Sequence, residues 1–272
     1  MTEGPSFPTS LGTSEGTTMS LLGQDVAGDL MGQVSFGELA YWLITLERPT
    51  PRQTRLFEAV LIGLADHGFT PTAIAARLTY LSAPDSIQGA LAAGLLGGGS
   101  RYLGVTEDTG RFLAGVLAAT PDPLPDGDDA AAWDALAEQA VADQKAAGKF
   151  VPGLGHPVHK QGDPRTPRII AIAHQEDLYG PHLALFEAIG RVHPKILGKQ
   201  LPLNGAGVSG AALADLGLPL DLLRGVVLLA RCAGLLGHIA EEIRRPVADA
   251  IYRTVDRNAE YIPPGPPSVQ PG

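Results

Sequence analysis

Residues 150–165 read FVPGLGHPVHKQGDPR, and these sixteen positions hold three glycines, three prolines, two histidines, a lysine, an aspartate and an arginine. Helical patterns lie on both sides: Ala130 to Ala147 is stopped by Gly148, and further patterns run near 166–177 and 181–192. Taken singly, each residue has a structural reading. Gly153 and Gly155 permit a tight turn, Asp163 caps the helix that Pro164 begins, and His156 with His159 stands in solvent. Together they point to chemistry. A histidine among backbone amides freed by glycine, followed nine residues later by Arg165, pairs a carbonyl polariser with a planar carboxylate clamp.

Other chemistries lose their sequence support. His156 and His159 have no cysteine neighbour and no HExxH helix, so no metal is expected. No GxxxxGK[ST] phosphate loop and no GxSxG elbow occurs, and GLGHPV lacks the strand–turn–helix context of a dinucleotide fingerprint. One cysteine, Cys232, excludes a disulfide framework. With 20 basic against 29 acidic residues and no Lys/Arg cluster, the chain offers nothing to a phosphate backbone, and nucleic acid is not an expected partner.

Outward from that stretch, apolar runs are rich in Ala and Leu rather than alternating and β-branched, so the chain reads as all-α. Ser35 and Glu38 form a capping box ahead of Leu39, Trp42, Leu43 and Leu46, which predicts a helix over 36–47. Leu56 to Gly63 leads to Asp66-His67-Gly68, and Thr70-Pro71 starts a helix through Tyr80, which places His67 at a junction. QGALAAGLLGGG at 88–99 lets backbones approach closely. The most apolar region, 211–237, is interrupted by Asp215, Asp221, Arg224 and Arg231, so no membrane span is expected. Residues 1–23 read as a flexible N-terminal tail without a secretory pattern, and YIPPGPPSVQPG, from 261, as an extended arm. A cytoplasmic location is expected.

FVPGLGHPVHKQGDPR resembles the [VI]PG[FY]GH…DPR segment of citrate synthase. ADHG at 65–68, ALAAGLLGGG at 90–99, LNGAGVSGAAL at 203–213 and ARCAGLLGHIAEEI at 230–243 resemble that family's other landmarks in the same order. The similarity covers about 24–262 and is closer to the citryl-CoA lyase portion of ATP-citrate lyase than to full-length citrate synthase. The resemblance implies a large helical domain, 24–104 with 210–262, a smaller inserted helical domain, 105–209, a Pro/Gly-rich tail at 263–272, and a homodimer. It implies that His67 and His156 hydrogen-bond oxaloacetate, with both histidines in catalytic positions. Arg165 and Arg231 would hold its carboxylates. A further arginine is expected from the partner subunit, Arg253 being the better match and Arg245 the alternative. Main-chain groups of Val151, Pro152, Gly153, Leu154 and Gly155 would cradle the adenine of a coenzyme A thioester substrate.

Two positions depart from the family's pattern. Leu103 stands where the enolising histidine is expected, and Ala206 where the catalytic aspartate is expected. Neither side chain exchanges a proton. Asp66, Asp163 or a bound water could carry the proton, the chain could use another thioester, or it could bind CoA and polycarboxylate without turnover. The expected reaction is reversible cleavage of a citryl-CoA-type thioester to acetyl-CoA and oxaloacetate, or citrate synthase-type condensation; the alternative is a binding or regulatory subunit. Truncating Arg165 is expected to weaken polycarboxylate binding by ~1.5–3 kcal/mol and to leave folding largely intact.

Overall fold

The structure is a computed structural model that describes residues 6–127, 129–156 and 158–263. In chain order its helices are α1 Phe36–Thr45, α2 Pro51–Ala65, α3 Pro71–Ser82, α4 Ile87–Leu96, α5 Ser100–Leu103, α6 Val105–Ala119, α7 Ala130–Ala146, α8 Arg165–Gln175, α9 Pro181–Leu197, α10 Gly205–Asp215, α11 Leu223–Arg244 and α12 Ala248–Arg257. The all-α reading holds. Side-chain caps start several of these helices. Ser35 Oγ accepts from Glu38 N at 3.0 Å, and Thr50 with Gln53 closes a full capping box ahead of Pro51.

The helices fall into two compact units. The first comprises the chain up to Asp66 together with Gly98–Arg231. Its hub is α10, whose residues Gly205, Gly207, Val208, Ser209, Gly210, Ala211, Ala212 and Leu213 are all buried. Small side chains let its backbone touch its neighbours: a Cβ at Gly210 would land on the carbonyl of Thr106 in α6. α10 also packs against α2, α8 and α9. α2 turns Leu56, Phe57, Val60 and Leu64 inward, and α9 contributes Leu183, Leu185, Phe186 and Ile189 to the same core. The second unit comprises His67–Gly97 and the chain from Cys232 onward. It has its own small core of Ala73, Ala76, Ala90, Leu235 and Ile239, with Gly94 close against Leu235 and Ala76.

Compactness draws its lines elsewhere than the expected division at 105–209. α6 to α9 group with α2 and α10 because α10 packs against helices from both sides of those boundaries. The expected N-terminal tail needs correction. Residues 12–25 form an antiparallel meander of β1 Gly12–Glu15, β2 Thr18–Leu21 and β3 Gln24–Asp25. Gly16 at φ 55° lies in the two-residue loop between β1 and β2, and Leu22 and Gly23 at φ 52° and 76° make the next, so turn geometry sets these hairpins. β1 is wholly exposed and so carries no apolar alternation to read. The expected tail positions 1–5 and 264–272 lie outside the described residues.

Among the described residues, one helix, 220–244, is long and apolar enough to cross a membrane by length and composition. Within the first unit its Leu223, Val226, Val227 and Ala230 belong to the protein core, and Arg231 is buried. That burial is the pattern of a core helix.

Candidate active site

The end of α2 organises the first unit's polar centre. A helix C-terminus leaves carbonyls without intrahelical partners and carries partial negative charge, so it attracts cations. Arg165 Nη1 donates to Gly63 O at 3.0 Å, while Arg231 Nε and Nη2 both donate to Leu64 O at 3.3 Å. Two guanidiniums thus stand on consecutive carbonyls. Burial pushes the Arg231 pKa down, the Asp66 charge pushes it up and the Arg165 charge pushes it down again, with a net lowering. A buried cation beside another cation makes this region favourable for an anion.

Asp163 holds Arg165 in place. Its carboxylate is fully shielded and accepts from Arg165 Nε at 2.9 Å, Arg165 Nη2 at 2.7 Å, Arg165 N at 3.1 Å and Gly205 N at 2.7 Å. It therefore stands at the N-terminal ends of α8 and α10 together. Burial pushes its pKa up, but the hydrogen bonds from Arg165 and Gly205, with the Arg165 charge, hold it well below the usual carboxylate range. A carboxylate so committed is a poor base, which removes Asp163 from the candidate proton carriers. Gly205 is required here because a Cβ would strike the Arg165 guanidinium.

The 151–155 loop is built on its pairing with 202–204. Gly155 N donates to Pro202 O at 2.8 Å, Asn204 N donates to Gly153 O at 2.9 Å, and Leu154 bridges to Leu203. Asn204 Nδ2 donates to Gly155 O at 2.8 Å, while its Oδ1 accepts from Gly207 N at 2.8 Å. These bonds occupy several of the main-chain groups expected to cradle an adenine. Val151 is buried, and Pro152 and Leu154 are half-buried. Asn204 thus ties the histidine loop to the start of α10, and its neighbour Gly205 ties down Asp163. In sequence Asn204 stands out only as part of the LNGAGVSGAAL landmark. No motif marks buried His193, whose Nε2 accepts from Leu201 N at 3.0 Å and so anchors the same segment.

His156 Nδ1 accepts from Val158 N at 3.1 Å and His159 N at 2.9 Å. With Nδ1 serving as an acceptor, the neutral ring carries its hydrogen on Nε2, where it can donate to a carbonyl oxygen. His159 lies against it with ring centroids 4.5 Å apart.

Leu103 is buried in the first unit's apolar core, so no proton donor stands there. Ala206 is half-buried in the first turn of α10. His67 opens the second unit, half-buried, before Gly68 at φ 71°. Arg253 lies exposed on α12, paired with Asp249 at 2.7 Å, and Arg245 is exposed just after α11.

Gly153 provides a local test. At φ 85°, its Cβ would come within 2.5 Å of the Phe186 ring and 3.2 Å of Gly207 Cα. Gly153→Ala should cost at least ~2 kcal/mol from overpacking plus left-handed strain. Gly148→Ala, at φ 65° with open space around it, should cost only ~1 kcal/mol. Urea midpoints for the two variants check the ranking; equal losses would mean that the 153–207 contact is not tight.

The family model described as citrate synthase, C-terminal domain, matches residues 17–254. The chain is 27% identical over 262 residues to the citrate synthase of Deinococcus radiodurans, a match covering 88% of this chain and 61% of that protein. It is similar to the solved structure of citryl-CoA lyase from Hydrogenobacter thermophilus, with a TM-score of 0.81, 30% identity and 97% coverage of both chains. ATP citrate lyase from Methanothrix soehngenii, solved with citrate and coenzyme A, shares the fold with a TM-score of 0.79 at 21% identity, covering 100% of this chain and 44% of that one. The chain belongs to the citrate synthase family, although it spans less than two thirds of the length of the curated relative.

Proposed function

We propose that the chain catalyses reversible carbon–carbon cleavage of a citryl-CoA-type thioester to acetyl-CoA and oxaloacetate. Condensation of the same two products, followed by hydrolysis to citrate, is the neighbouring reaction. The observation that carries this reading is the placement of Arg165 and Arg231 on the carbonyls of Gly63 and Leu64. Each guanidinium retains hydrogens beyond those bonds, suited to a small polycarboxylate. The 30% identity to a citryl-CoA lyase over nearly the whole of both chains supports the choice of reaction.

In cleavage, the substrate hydroxyl loses its proton and becomes a ketone. The pair from the broken C–C bond passes to the thioester's α-carbon, which then takes up a proton. Arg165 and Arg231 hold the carboxylates of the departing oxo acid, and the His156 Nε2–H donates to the oxygen that becomes its ketone. His67 serves the same acid, on the strength of the resemblance. Leu103 and Ala206 cannot move the protons and Asp163 is committed to Arg165. Asp66, whose charge is felt by Arg231, and water remain as carriers. Coenzyme A is a substrate in this reading, with its adenine against Val151–Gly155.

A second copy of the chain is part of the proposal. Ile87 and Leu96 of α4, Leu236 and Ile243 of α11, and Tyr252 and Val255 of α12 are exposed apolar residues of the second unit. Exposed apolar side chains of this kind are compatible with the homodimer that the resemblance implies, in which Arg253 or Arg245 serves the partner's substrate. A cytoplasmic location goes with these substrates.

Titration with oxaloacetate and with CoA, followed by an assay of citryl-CoA consumption, tests the reading. Saturable binding of both and release of acetyl-CoA are expected. Binding without turnover would replace the enzyme with a CoA- and polycarboxylate-binding subunit.

A further inference from the structure

The second unit contains a polar cluster that the proposed chemistry does not use. Arg77 of α3 is fully buried. Its Nε donates to His238 Nδ1 at 3.1 Å and its Nη1 to Glu242 Oε2 at 2.8 Å, while Nη2 meets Glu241 Oε2. Its Cζ lies 4.9 Å from the centroid of the Phe69 ring. The His238 ring meets the same phenyl group edge-on, with centroids 5.7 Å apart and planes at 63°.

Glu242, itself buried, also accepts from Val247 N at 2.9 Å and Ala248 N at 2.8 Å, at the start of α12. Burial pushes the Glu242 pKa up, but hydrogen bonds from Ala248, Arg77 and Val247 outweigh it and keep the carboxylate ionised. The network therefore ties α3, α11 and α12 to one loop.

Burying a guanidinium is expensive, and a well-packed apolar side chain would often stabilise the fold as well or better. What the planar fork adds is direction. Its Nε–H requires an unprotonated Nδ1 on His238, which orients that ring, and its charged carbon sits over the Phe69 ring. Phe69 is 55% exposed, so burial alone does not hold it. Its backbone is confined from the other side, since Thr70 N donates to Gly68 O at 2.7 Å and Thr70 caps α3 ahead of Pro71. His67 lies two residues from Phe69, a reach of at most ~7 Å along the chain, so holding Phe69 limits where the backbone of His67 can go.

We propose that Phe69, gripped by Arg77 and His238, is a positioning residue that fixes the backbone carrying His67 and so sets affinity for the oxo acid. This rests on the reading of His67 as a ligand of that acid. The same cluster, through Glu242, sets the start of α12, the helix that carries Arg253.

Calorimetric titration of oxaloacetate, and of CoA as control, into wild type, His67→Ala, Phe69→Leu, Phe69→Tyr and the His67→Ala/Phe69→Leu pair tests it. Phe69→Leu should raise the oxaloacetate Kd by about tenfold, equivalent to ~1.4 kcal/mol. Phe69→Tyr keeps the ring and should restore wild-type affinity, CoA affinity should not move, and the double variant should bind no more weakly than His67→Ala alone. Arg77→Lys, which keeps the charge but not the fork, should speed amide exchange at 67–70 by about tenfold if the ring is held as described. Wild-type affinity in Phe69→Leu, additive losses in the pair, a parallel loss of CoA binding, or unchanged exchange in Arg77→Lys would overturn the positioning role and leave the proposed reaction standing. Unchanged affinity in His67→Ala would overturn both the positioning role and the reading of His67.

Discussion

Arg165→Ala should lose ~3–5 kcal/mol of folding stability as well as its grip on a polycarboxylate, because removing one partner of a buried ion pair leaves the other charge uncompensated. Truncation was expected to weaken binding and leave folding largely intact. The structure overturns the second half of that expectation, since Arg165 supplies two side-chain hydrogen bonds to the shielded Asp163 carboxylate. The pH dependence should weaken. In the wild type the folded pKa of Asp163 lies below its unfolded value, so its contribution is present above the unfolded pKa and is lost as pH falls through the folded one. In the variant the guanidinium no longer opposes burial, while the hydrogen bonds from Gly205 N and from the amide of residue 165 remain, so the folded pKa rises from its wild-type position toward the unfolded value. The stability lost on acidification shrinks accordingly. Asp163→Asn added to Arg165→Ala should recover part of the loss. Urea unfolding from about pH 2 to 5 measures this, and a variant that tracks the wild-type profile would mean that Asp163 is not buried against Arg165.

Ala206→Asp should raise citryl-CoA turnover by ~10²–10⁴-fold, the usual worth of a positioned proton-transfer group. Residue 206 lies in the first turn of α10, where a carboxylate is favoured by the unsatisfied amides, so the substitution should not unfold the chain. The nearby Asp163 carboxylate, bonded to Gly205 N, opposes a second negative charge, but its pairing with Arg165 limits that cost. Single-turnover assays with saturating thioester isolate the chemical step. Unchanged turnover with intact affinity for oxaloacetate and CoA would mean that position 206 does not face the thioester's α-carbon.

Much of the helix pattern was legible because its determinants are local. Ser35 with Glu38, Thr70 with Pro71, and the stop at Gly148 act within a turn or two of chain. The N-terminal meander was missed because exposed strands held by positive-φ turns carry no apolar alternation, and Leu22 at φ 52° is not a turn signal in sequence. In the candidate site, the resemblance picked out Arg165, Arg231 and His156 by type and order. It could not show that Arg165 is engaged by Asp163, that the Nδ1 of His156 is occupied by backbone amides, or that Phe69 is clasped by Arg77.

Chain order alone settled the helical class, the family and the residue types available for chemistry, since periodicity, caps and motif spacing are written in neighbouring positions. Folding decided which polar groups are already spoken for. Arg165 finds Gly63 across 102 residues and Arg231 finds Leu64 across 167, and whether a charge so placed stabilises the fold, binds an anion or does both depends on burial, which arises only when distant helices close over it.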